Sequence, residues 1–92
     1  MKKETLESLL TSLEEELRLS EENRTTGASD LSLQTVLDLL RSAEKTATSG
    51  HAAKAKDALS LAARQVSDSW SFCSTLGIAV LEFVQTAKRT ML

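Results

Sequence analysis

HAAKAKDALSLAARQVSDSWSFCSTLGIAVLEFVQTAKRT, residues 51–90, keeps one helical phase along its whole length. Trp70 is set at the origin of a wheel turning about 100° per residue. Phe72, Cys73, Leu76, Gly77, Ala79, Val80, Leu81, Phe83, Val84, Ala87 and Met91 then share an arc of roughly 200° with it. Carried backwards, the same arc takes in Ala52, Ala55, Ala58, Leu59, Leu61, Ala62, Ala63 and Val66. Thr75, Glu82, Gln85, Thr86 and Arg89 lie opposite. Read as one helix, the segment is about 60 Å long. The alternative is a break at Ser67-Asp68-Ser69, where three residues that cap helices well stand together. Unbroken phase favours continuity. An ordinary core-facing stripe is nearer 100° wide, so the surplus apolar surface predicts a second copy of the chain packed there, a homodimer.

Working outward, the densest apolar stretch is Trp70–Val84, WSFCSTLGIAVLEFV, with Glu82 its single charge and all three aromatic side chains of the chain inside it. Trp70, Phe72, Cys73, Leu76, Val80, Phe83 and Val84 are therefore the expected interface. Trp70 fits either a core seal or a partner anchor, because tryptophan is common at both. Nearer the N-terminus, Leu6, Leu9, Leu10, Leu13 and Leu17 recur at spacings of three and four, which predicts a helix over 3–22. NRTTGASD (Asn23–Asp30) is rich in turn formers and reads as the one linker. A further helix over 31–48 follows, capped by Ser29 or Asp30 and burying Leu33, Val36, Leu37, Leu40, Ala43 and Ala47. Gly50 suits the left-handed residue that ends it. The expected fold is all-α: one domain over 1–92, an antiparallel bundle of three to four helices with a long C-terminal helix over 51–90.

Composition narrows the function. Proline is absent and the lone cysteine excludes an internal disulfide. Lys2 and Lys3 could begin a leader, but Glu4 and Glu7 interrupt the apolar run it would need. Trp70–Val84 is shorter than the roughly 20 residues of a membrane span. A soluble cytoplasmic protein without membrane contact is the expectation. Residues 1–22 carry a net charge of −4 and the remainder +2, with no basic stripe of the kind that binds nucleic acid. Glu7, Glu14, Glu15 and Glu21 on the first helix make an acidic face suited to a basic partner. The triplet Glu14-Glu15-Glu16 reads as a solvated face, since successive residues diverge by about 100°.

His51 is the only histidine, and His51-Ala52-Ala53-Lys54-Ala55 resembles the short His-x-x-Lys-Gly/Ala pattern around the phosphoacceptor of histidine phosphotransfer domains. The resemblance covers five residues. It implies a helical bundle in which His51 carries the phosphoryl group and Lys54 helps neutralise it. The chain departs from that pattern in placing His51 after Gly50 at a helix start. Cys73 lies in the apolar arc, away from anything that would activate a thiol. No glycine-rich phosphate loop, Gly-x-Ser-x-Gly turn or paired Glu-x-x-His set occurs, so no catalytic residue, metal site or cofactor is expected. The reading is a small non-catalytic protein-binding module, of adaptor, chaperone, inhibitor or regulatory-subunit type, acting through helical apolar surface. Its alternatives are the phosphotransfer domain and a purely structural assembly element.

Overall fold

Leucines and alanines at helical spacing, with no proline to interrupt them, set the local structure. The computed structural model of the chain describes residues 3–70 and 74–90. Among them are α1 (Lys3–Arg18), a short 3-10 turn (Glu21–Asn23), α2 (Asp30–Thr48), α3 (Ala52–Ser69) and α4 (Thr75–Thr90), with no strand.

The single helix expected over 51–90 is two helices. Ser67, Asp68 and Ser69 continue α3, and the break lies just beyond them. The Trp70 amide still donates to the Val66 carbonyl at 3.0 Å, but Trp70 itself is extended (φ −98°, ψ 159°). Ser74 then opens α4 by accepting the Gly77 amide on its Oγ at 3.0 Å. Phase is preserved because α3 and α4 turn their apolar faces onto one core, which sequence periodicity cannot tell from one unbroken rod. Once the chain folds back, each helix buries a narrower face, and Ala52 and Leu61, both in the predicted arc, are exposed. The first helix is also shorter than the expected 3–22. It ends at Arg18.

The core joins all four helices. Leu6, Leu9 and Leu13 of α1 meet Leu33, Val36, Leu37, Leu40 and Ala43 of α2. Ala55, Leu59, Ala62 and Val66 of α3 and Val80, Phe83, Val84 and Ala87 of α4 complete it. Packing is most extensive between α2 and α3, where small alanine side chains let helix axes approach, and it is much thinner between α1 and α4. A buried polar line ties the ends of α2 and α3. Ser29 caps α2 by accepting the Ser32 amide at 3.2 Å. The Ser32 hydroxyl in turn accepts from Trp70 Nε1 at 2.8 Å and Gln65 Nε2 at 2.9 Å.

The molecule measures 39 × 20 × 20 Å with a radius of gyration of 12.4 Å, close to the roughly 12 Å of a compact chain this long. Its cross-section is about two helix diameters of ~10 Å each. One chain thus covers most of the broad arc with its own helices, and the width of that arc no longer calls for a second copy.

Two glycines test this packing with opposite signs. A methyl group on Gly77 would sit 3.4 Å from Val66 Cγ1 and 3.5 Å from Trp70 Cε3, ordinary contact distances. Gly77→Ala is therefore expected to raise stability by about 0.5–1 kcal/mol through helix propensity. Gly50 holds φ at 85° after α2, so Gly50→Ala should lose about 1 kcal/mol. Urea midpoints moving in opposite directions are the expected result.

Candidate functional site

The connection from α1 to α2 is organised around a buried guanidinium. The Arg24 side chain is 2% exposed. Its Nε donates to the carbonyls of Glu16 (3.1 Å) and Leu19 (3.0 Å), Nη2 to Leu17 (2.9 Å) and Nη1 to Ala28 (3.0 Å). It also pairs with Asp30 at the start of α2. The last carbonyls of any helix lack partners within it, and a cation there opposes the negative end of the helix dipole. Arg24 meets both demands for α1.

Glu16, read from its triplet as solvated, is buried. Its Oε2 accepts the Thr26 amide at 2.9 Å and the Thr25 hydroxyl at 3.1 Å. Burial pushes this carboxyl up, but the hydrogen bonds from Thr26 and Thr25 outweigh burial and hold it below its ordinary value. Arg24 is committed to backbone carbonyls and Asp30, and Glu16 to a backbone amide and a hydroxyl, which makes the cluster a latch for the linker.

The residues singled out in the sequence scatter. Trp70, Val80, Phe83 and Val84 are buried in the chain's own core, Leu76 is half-buried, and Phe72 and Cys73 lie outside the described residues. Glu7 and Glu15 are exposed, while Glu14 pairs with Arg41 of α2. Glu21 sits in the 3-10 turn, off α1, so the four carboxylates do not form one continuous face. His51 is exposed at the N-cap of α3, where its ring caps nothing and its amide donates to the Thr46 carbonyl at 2.8 Å. Lys54, one turn on, is exposed as well. No group of three or more His, Cys, Asp or Glu suited to a metal occurs among the described residues, and no helix among them is long and apolar enough to cross a membrane.

Two grooves remain. The first, about 660 Å³, runs along the sparsely packed seam between α1 and α4. Leu9, Leu76, Ala79 and Phe83 form its apolar side, and Thr5, Ser8, Ser12, Thr25 and Thr75 line it with hydroxyls. Small side chains at Ser8, Ser12 and Ala79 leave the seam unfilled. At helical spacing Glu15 follows the Ser8–Ser12 row and Glu82 follows Thr75, with Arg89 seven residues further along that second row; all three are exposed. The signal for this groove was present in Ser8 and Ser12, small residues four apart on the border of the leucine stripe.

The second groove, about 460 Å³, lies between α3 and α4. Ala63, Leu81 and Val84 are its apolar residues, bordered by Lys56, Gln85, Lys88 and Arg89. Lys88 Nζ donates to Ser60 Oγ at 2.9 Å.

The latch makes two predictions. Asp30 is 75% exposed, so its ion pair contributes little; the carbonyls carry the effect. Leaving buried carbonyls unpaired costs about 1–3 kcal/mol apiece, so Arg24→Met should lose on the order of 3 kcal/mol in chemical denaturation. Glu16 is held below its ordinary value of 4.5, so its carboxylate stabilises the fold above that pH. The contribution disappears as pH falls through the lowered folded value. Glu16→Gln should therefore be less stable near neutrality and show a flatter acid limb in stability against pH; an unchanged limb would remove Glu16 from the account. Comparison with models of protein families, with characterised proteins and with solved structures gave no match, so the functional reading rests on the geometry of the chain itself.

Proposed function

We propose that the chain is a small non-catalytic protein-binding module, an antiparallel four-helix bundle whose α1–α4 groove receives an amphipathic helix of a partner protein. The observation that carries this reading is the groove itself: an apolar trough at a thinly packed seam of the core, lined with hydroxyls, with the exposed Glu15 and Glu82 at helical spacing from its lining residues. Laying the apolar face of a helix into such a trough is a recurring mode of recognition. Glu15 and Glu82 favour a helix with Lys or Arg flanking that face, and complementary charge mainly sets partner choice and association rate. A cytoplasmic setting and the homodimer belong to the same reading, the second copy being the other occupant this trough admits.

Titration of isotope-labelled protein with a synthetic helical peptide of alternating Leu and Lys faces tests the proposal. Shifts should centre on Leu9, Leu76, Ala79 and Phe83. Ala79→Arg, which fills the trough, should abolish them, and joint Glu15→Lys and Glu82→Lys should weaken binding about tenfold, or 1.4 kcal/mol. Shifts elsewhere, or indifference to Ala79→Arg, would overturn it. Light scattering across a dilution series distinguishes a partner helix from a second copy. The exposure of both His51 and Lys54 supports a second reading as a phosphoryl carrier, which requires acid-labile labelling by a phosphodonor that is lost in His51→Gln.

A further inference from the structure

We infer that the α3–α4 groove is a second docking site of opposite charge, receiving an acidic amphipathic helix, so that one domain can bridge two partners. Three cations from two helices border this groove, Lys56 from α3 with Lys88 and Arg89 from α4. None of the three forms an ion pair among the described residues, and Lys88 has only the Ser60 hydroxyl. Lys88 and Arg89 stand in the last turn of α4, where cations oppose the helix dipole. That account fails for Lys56. It lies near the beginning of α3, close to the positive end of that helix, whose first turn holds no acidic residue and does hold Lys54. Like charges gathered beside a positive dipole end are unfavourable within the monomer. Carboxylates brought by a partner relieve the repulsion.

The apolar residues select the form those carboxylates take. Ala63, Leu81 and Val84 sit beside the cations. From Leu81 to Arg89 the groove runs about 12 Å along α4, just over two turns of helix. It is apolar at one end and basic at the other. An open trough of this kind seats side chains spaced three and four apart better than it encloses a small molecule. The negative dipole end of the bound helix also favours the cations, which orients the partner with its C-terminal end toward Lys56 and Arg89.

The site is independent of the α1–α4 groove and is tested separately. The full chain is titrated with a dye-labelled 16-residue Leu/Glu helical peptide and with its Leu/Lys counterpart, followed by anisotropy at low and high salt. The acidic peptide should bind and weaken steeply with salt, and resonance shifts of isotope-labelled chain should centre on Ala63, Leu81 and Val84. Joint Lys56→Glu and Arg89→Glu, at surface positions that leave the core intact, should weaken it at least tenfold without affecting the basic peptide. Leu81→Ser, which keeps every charge, should weaken it as well. Affinity unchanged by the charge reversal would overturn the inference, and so would failure to bind at millimolar peptide. A single-stranded oligonucleotide competing equally well and indifferent to Leu81→Ser would replace the helix with a simple polyanion. Loss of the basic peptide alone in Ala79→Arg concerns the other groove and leaves this one standing.

Discussion

The corner joining α1 to α2 is built on Arg24. Its guanidinium is almost fully removed from water, and it reaches three carbonyls at the end of α1, a fourth in the linker and a carboxylate at the start of α2. A segment that reads as a flexible connection thereby becomes a rigid corner. The direction in which α1 leaves that corner decides how closely it approaches α4, and so whether the seam between them closes or stays open as a trough. Glu16 and Thr26 brace the same corner from the other side. The hydrogen bonds there satisfy groups that would be costly to bury alone.

Helical composition, the leucine stripe of α1, the buried face of α2 and the Ser29 cap could all be read from the sequence, because each depends on neighbours three or four residues away. The split between α3 and α4 was visible there only as an alternative to one long helix. Both helices feed one core, so their apolar faces stay in phase across Trp70, and the capping triplet Ser67–Ser69 sits one step too early. Glu16 was hidden for a related reason: its hydrogen-bond partners Thr25 and Thr26 lie nine and ten residues on, in a stretch whose fold depends on Arg24. Of the residues expected to form an interface, those the structure describes are mostly the core itself. The grooves emerge from Thr5, Ser8, Ser12 and Lys56, which are ordinary surface residues until four helices stand next to one another.

Electrostatically, the two grooves flank α4 on either side with opposite character. Glu15 stands beside the first and Lys56 and Lys88 border the second, while Glu82 and Arg89 share one row of α4, seven residues apart. A sequence near neutrality overall can in this way present separate acidic and basic surfaces, with long-range attraction screened beyond about 8–10 Å at physiological salt.

The bond between Trp70 and Ser32 has a spectroscopic consequence. Trp70 is the only tryptophan of the chain, shielded from water and hydrogen-bonded through its indole nitrogen to α2, with Gly77 of α4 against its ring. Its emission therefore reports on the joint between α2, α3 and α4, and a red shift marks entry of water there. Detachment of α1 alone would leave that environment largely unchanged. Fluorescence and far-ultraviolet circular dichroism, followed on one denaturation, would thus separate the peeling of a single helix from collapse of the remaining three.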